Sequence, residues 1–303
     1  MTPAADPMAD PPPHRPLREP TPGGRTRAVR DRLMHVLLLG ALLATVAPLI
    51  AILAETVGQG SQAMGVEFLT SVSNFSRRRA GGGYLHGLVG TLYMTGIATL
   101  ITVPLGILAA IFLVEYRRSV LATAVRFFTD VMTGVPSIFV GLFVYSLLVR
   151  QLALGFGTFA GGAALAIVML PIMVRSAEEM LKLVPDDLRA ASLALGARRW
   201  QTITKVVVPA AAPGLVTGGM LAVARGAGET APLILTALGA NALVFDLQGR
   251  AQSALPLLIF DDARVAFAAG QANAWAGALQ LITVVLVLTV AARVIRARGG
   301  HTP

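Results

Sequence analysis

The sequence contains no cysteine, which excludes disulfides and thiolate metal sites. Charge is scarce: 14% of residues are Asp, Glu, Lys or Arg, against about 25% in an ordinary soluble domain. Lysine is nearly missing. Lys182 and Lys205 follow Met-Leu and Ile-Thr, so no G-x-x-x-x-G-K-[ST] loop is available to bind ATP. The four histidines, His14, His35, His86 and His301, lie in tails or at the edges of apolar runs without metal-ligand spacing. No nucleophile has a base beside it. The expectation is a chain with no metal, no cofactor and no catalytic residue of its own, powered by another chain.

What is abundant is apolar sequence. Hydrophobic residues make up 55% of the 303, and the mean hydropathy is +0.70. A helix needs about 20 apolar residues to cross a bilayer core of roughly 30 Å. Six stretches meet that requirement and predict an all-α polytopic membrane protein, with spans at about 33–54, 87–114, 127–149, 155–175, 209–239 and 270–293. Residues 1–30 carry 8 prolines and few apolar residues. They cannot bury a core and read as a disordered tail ahead of a permease domain over 31–303. The first run is too long for a signal-peptide core and lacks a small-x-small cleavage site.

The net charge of +9 could point to nucleic acid, but its distribution points to a membrane instead. With the N-terminus in the cytoplasm, 18 of the 25 Lys and Arg residues fall on that side. This positive-inside bias places both termini in the cytoplasm, with the lipid bilayer rather than nucleic acid as partner. Arg77, Arg78 and Arg79 run against the bias, in a long connection where charges weigh less.

Between the fourth and fifth spans, over 178–208, lies an amphipathic segment. Leu181, Val184, Leu188, Ala191 and Leu195 recur at 3, 4, 3, 4, which predicts one helical face. Pro185 suits a helix start, with Asp186 and Asp187 complementing the helix dipole. Gly196 supplies a helix stop, and a second short helix through Trp200, Ile203 and Val206 leads to Pro209. Composition leaves two readings open: a helix lying on lipid headgroups, or a knob that docks into a partner.

Here the residues resemble a known pattern. Ala190-Ala191-Ser192, then Gly196, then Val206-x-Val208-Pro209 reproduce the spacing of the EAA loop of bacterial ABC-importer permeases. The family's glutamate is Ala190 here, with Asp187 or Arg189 nearby as substitutes for its contact. The stretches "TGVPSIFVGL" (133–142), "MLPIMVRSAEEMLKLVPDDLRAASLALGA" (169–197) and "GGMLAVARGAGETAPLILTALG" (218–239) are similar to phosphate-importer permeases of the PstA type. The resemblance covers most of the chain from Gly87 to Arg293. It implies a type I ABC importer permease working in the bacterial inner membrane on inorganic phosphate. The implied partners are a second permease (PstC type), two cytoplasmic ATPase subunits (PstB type) and an extracytoplasmic phosphate-binding protein (PstS type). It implies that the loop docks into the ATPase through Asp187, Arg189, Ala190, Ala191, Ser192, Gly196 and Pro209.

The fifth span, unlike the other five, carries charges deep within its apolar run. Arg225 falls roughly 18 Å along it, near mid-bilayer, where a charge costs about 2.5–3.5 kcal/mol on insertion scales. Glu229 is four residues on, so the two share a face and can pair. One reading is a structural ion pair tying helices together. The other is that Arg225 faces a central path and offers its planar fork of donors to a phosphate oxyanion. Glu229 then orients that fork and keeps the anion from being trapped. The resemblance supports both as pathway residues. Gly226, Gly228 and Pro232 surround the pair, Pro232 removing the hydrogen bond to the Gly228 carbonyl, and together they suggest a hinge or gate.

Pro136 in the third span predicts a kink, with Arg126 and Asp130 as an i, i+4 pair near the cytoplasmic edge. Arg175 reads as a snorkelling interfacial residue. Within the same class the alternative is an importer permease for another oxyanion, sulfate or phosphonate; from a different class it is an intramembrane enzyme using Glu229 as base. The enzyme lacks a second catalytic group at depth. A role in phosphate sensing is compatible with transport.

Overall fold

The computed structural model describes residues 24–73 and 81–299. The tail before Gly24 and the Arg77 to Arg79 cluster lie outside the described residues. The described chain is helical, and β pairing in it is confined to two isolated bridges, Ser73 with Gly82 and Leu238 with Gln252.

Twelve α-helices follow in order. They are α1 (Gly24–Ala63), α2 (Val66–Thr70), α3 (Leu85–Glu115), α4 (Val120–Gly134), α5 (Ser137–Val144), α6 (Thr158–Lys182), α7 (Asp186–Ala194), α8 (Arg199–Thr202), α9 (Val208–Ala227), α10 (Ala231–Thr236), α11 (Leu255–Ala263) and α12 (Ala268–Gly299). Two π-helical stretches, Tyr145–Gln151 and Ile203–Val207, extend α5 and join α8 to α9. Among the described residues five helical stretches are long and apolar enough to cross a membrane, and a sixth span is formed if α4 and α5 with its π-helical extension count as one. This is a multi-pass membrane protein.

The chain divides into two units, residues 1–54 and 55–303. In the first, α1 begins at Gly24, ahead of the apolar run, and exposes Val36, Leu37, Leu38 and Leu39, which point to successive faces. A helix apolar on every face belongs in an apolar surround.

In the second unit, α6 is the central helix. Its apolar stretch is 61% buried, against 33% or less in the other four unbent spans. The core is built from Met94 and Ala98 of α3, Leu165, Met169 and Met173 of α6, Leu215 and Ala222 of α9, and Leu233 of α10. Small residues let the helices close in. On α9, Gly214, Gly218, Ala222 and Gly226 recur every four residues and are all at least half-buried. A methyl group on Gly218 would come within 2.6 Å of Ser176 Cβ, so α9 packs backbone to helix against α6.

Two spans depart from straight helices. The third turns by 105° between α4 and α5. Pro136 has no N–H to continue the ladder, and Val135 and Pro136 take extended backbone angles there. The fifth starts earlier than its apolar run, being helical from Arg199, and breaks after Ala227. The break is stronger than a proline-weakened helix. Residues 228–230 stand between two separate helices, and Pro232 sits in the first turn of α10, where its missing N–H has no intrahelical role.

Candidate functional site

The break in the fifth span carries the expected charge pair. Arg225 lies in the last turn of α9, and Gly228 and Glu229 fold back over it, donating their N–H groups to the carbonyls of Arg225 at 3.3 Å and Gly226 at 3.1 Å. Glu229 is thereby placed beside the guanidinium, and its Oε1 is 2.8 Å from Arg225 Nη2. The two side chains are unequal: Glu229 is 10% exposed and Arg225 is 62% exposed. A sunken carboxylate thus anchors one edge of a guanidinium whose remaining donors are open.

The faces of α9 explain that openness. One face is the small-residue stripe against α6. A second lines an apolar groove of about 740 Å³ with α3 and α12, through residues such as Leu215, Gly219 and Val223. Only threonines supply polar side chains to its wall, so this groove has no charged group to hold an anion. Leu221 and Arg225, four residues apart, occupy a third face that the described residues of this unit leave uncovered. Gly226 is buried against Met169 of α6, Gly228 caps α9 and Pro232 is buried.

A second set of charges is assembled differently from the sequence reading. Arg126 does not pair with Asp130. Its Nε donates to Glu178 Oε1 at 2.8 Å and its Nη2 to the Leu113 carbonyl at 2.7 Å, tying α4 to α6 and α3. Asp130 pairs instead with Arg175. An i, i+4 spacing makes a pair available, but a fully buried carboxylate on the neighbouring helix claims the guanidinium more strongly. Glu178 is fully buried and also meets Lys182 Nζ at 3.1 Å. Glu178 was not singled out in the sequence, although Lys182 four residues on marks a shared face.

The amphipathic segment is a hairpin, and its stripe does not run on one helix. α6 ends at Lys182, Pro185 caps α7, and the stripe divides there. Leu181 and Val184 are buried, whereas Leu188 and Leu195 are 45% and 90% exposed. Gly196 adopts φ +84°. Its N–H reaches the Leu193 carbonyl at 2.9 Å and that of Ala197 the Ser192 carbonyl at 3.2 Å, the paired bonds of a Schellman turn. Ser192 Oγ meets Thr202 Oγ1 at 2.9 Å, closing α7 onto α8. Asp187, Ala190 and Ala191 are exposed, and so is Pro209 at the start of α9. Arg189 is not: it pairs inward with Glu115 and donates to the Leu181 carbonyl at 3.0 Å. It therefore cannot substitute outwardly for the missing glutamate at Ala190. Leu188, Leu193, Leu195 and Trp200 form the exposed apolar surface of the hairpin.

Among the described residues no group of three His, Asp or Glu could hold a metal ion.

Comparison with known proteins matches this architecture. Residues 102–299 fit the family described as binding-protein-dependent transport system inner membrane component. The phosphate transport system permease protein PstA of Yersinia pestis is 42% identical over 91% of this chain and 92% of its own length. That of Haemophilus influenzae is 40% identical over 80% and 85%. The inward-facing structure of the MetNI methionine ABC transporter is similar over 70% of this chain and 94% of its own, with TM-score 0.59 and 23% identity, which shows a shared fold. The chain belongs to the inner membrane components of binding-protein-dependent transport systems, and within them to the PstA permease family.

Proposed function

We propose that this chain is the transmembrane permease subunit of an ATP-driven importer for inorganic phosphate and forms half of the translocation path. The observation that carries the reading is the open guanidinium of Arg225 on the uncovered face of a broken membrane helix, held by the sunken carboxylate of Glu229. Guanidinium presents a rigid fork of donors that suits a phosphate oxyanion. A neighbouring carboxylate that already occupies part of the fork keeps the site from holding the anion too tightly for release. The uncovered face calls for a second subunit of the PstC type to complete the wall of the path.

In this reading Gly228, Pro232 and Pro136 act as hinge or gate points, since each lies at a helix interruption, and Gly226 serves close packing against α6. The chain hydrolyses nothing itself. Two ATPase subunits of the PstB type receive the hairpin at its exposed Leu188, Leu193, Leu195 and Trp200, with Asp187, Ala190 and Ala191 on the same projecting helix. A phosphate-binding protein of the PstS type delivers the anion on the opposite side. Both termini and the hairpin lie in the cytoplasm, as the distribution of Lys and Arg favours.

The test is uptake of labelled phosphate in cells that rely on this importer, comparing Arg225→Ala and Arg225→Lys with the unaltered chain. Loss with Ala and partial retention with Lys is the expected result. Unimpaired uptake with Ala removes Arg225 from the path.

A further inference from the structure

The hairpin is not attached to the membrane helices only through its two chain ends. At the end of α3, Glu115 holds it from a third direction. The Glu115 side chain is 10% exposed and pairs with Arg189 of α7, itself 16% exposed. Arg189 also donates to the last turn of α6 at the Leu181 carbonyl, so one guanidinium joins the ends of two spans to the hairpin. Arg199, the first residue of α8, approaches from the other arm. Its Nε lies 3.8 Å from Glu115 Oε2, its Nη2 donates to the Glu115 carbonyl at 3.1 Å, and its guanidinium stands 5.1 Å from the ring centroid of Tyr116. Tyr116 stacks in turn on Phe112 of α3 at 5.4 Å.

We infer that Glu115 is the positioning residue that makes α3 move with the hairpin, so that a displacement imposed on α7 is transmitted to the spans as one body. Arg199 begins an unbroken helical stretch of 29 residues that ends at Ala227, two residues beyond Arg225. Glu115 clamps the near end of that rod and Arg189 fixes the α6 end beside it. Without Glu115, the hairpin keeps its fold through the Schellman turn and the Ser192–Thr202 contact, but it pivots at the Leu183–Pro185 turn instead of carrying α3. The consequence is specific: ATP is hydrolysed while the path fails to respond.

The inference rests on the reading of the hairpin as the ATPase-docking element and of phosphate as cargo. It is tested in the complete importer reconstituted in proteoliposomes, with ATP hydrolysis and labelled phosphate uptake read together. For Glu115→Gln, phosphate moved per ATP is expected to fall about tenfold, the size of a pairwise coupling between contacting residues, while hydrolysis continues. Exchanging the charges, with Glu115→Arg and Arg189→Glu in one chain and with Arg199→Gln to remove the like charge that would face Glu115→Arg, is expected to restore a large part of the ratio. An unchanged ratio in Glu115→Gln overturns the inference, and so does a fall in uptake and hydrolysis together that the charge exchange leaves uncorrected. If Glu115→Gln fails to assemble, Glu115→Asp keeps the charge on a shorter arm and gives the same readout: a lowered ratio supports the clamp, an unchanged one refutes it. If the unaltered importer moves no phosphate at all, it is the functional reading that has failed, not the clamp.

Discussion

Gly141 of α5 lies against the backbone of Pro232 of α10, so close that a β-carbon at Gly141 would stand 2.7 Å from Pro232 Cα and 2.9 Å from its carbonyl oxygen. The helix that follows the 105° turn in the third span thus rests on the helix that follows the break in the fifth. Each interruption frees a short helix to change direction, and the two freed helices support one another.

Gly141→Ala is expected to separate them. The obstructing atoms are backbone and cannot rotate away, so overpacking of about 1–3 kcal/mol follows. Thermal unfolding of the purified complex in detergent should show a lowered midpoint and uptake should fall with it, whereas Gly134→Ala, with open space around its position, should change neither.

The hairpin makes a second prediction. Trp200 and Leu195 are 57% and 90% exposed at its surface, an unusual place for large apolar side chains unless a partner covers them. Trp200→Ala with Leu195→Ala should weaken capture of the ATPase subunits by about 2 kcal/mol or more, the loss expected of aromatic anchors. Copurification of the ATPase with a tagged permease measures it. Full retention would place the docking surface elsewhere.

Glu178 makes a third. It is fully buried and receives Arg126 at 2.8 Å and Lys182 at 3.1 Å. Removing one partner of a buried pair leaves an uncompensated charge and costs about 3–5 kcal/mol. Arg126→Ala, which strips this buried carboxylate of its nearest cation, should therefore destabilise the chain more than Asp130→Ala, whose partner Arg175 is half-exposed. Detergent-solubilised yield and thermal midpoint are the measurements.

Much of this molecule is legible in its sequence, and the parts that are not have a common cause. Apolar runs of bilayer length mark the spans because length and hydropathy are local properties. The Arg225 and Glu229 spacing predicts a pair on one turn, and Gly196 predicts the stop it provides. Pro136 signals an interruption, but the 105° turn depends on where α5 finds its packing partner, and that partner is more than 80 residues away in sequence. Arg126 chooses Glu178 across helices over Asp130 on its own helix, a tertiary competition that spacing cannot weigh. Glu115 reads as an ordinary carboxylate at the end of an apolar run; only the fold brings Arg189 and Arg199 to it. The stripe of Gly214, Gly218, Ala222 and Gly226 was in plain sight at four-residue spacing and identifies the face of α9 that packs on α6.

The central claim is that the Arg225 side chain faces water on a route through the membrane. Because the chain has no cysteine, a single Arg225→Cys introduces a unique thiol in it. In the assembled importer, with partner subunits cleared of reactive cysteine, that thiol should be modified by a small charged thiol reagent that cannot dissolve in lipid. The rate should change between the ATP-free and ATP-bound states. A thiol at position 225 that stays unmodified in both states, while the importer remains assembled, would contradict the account.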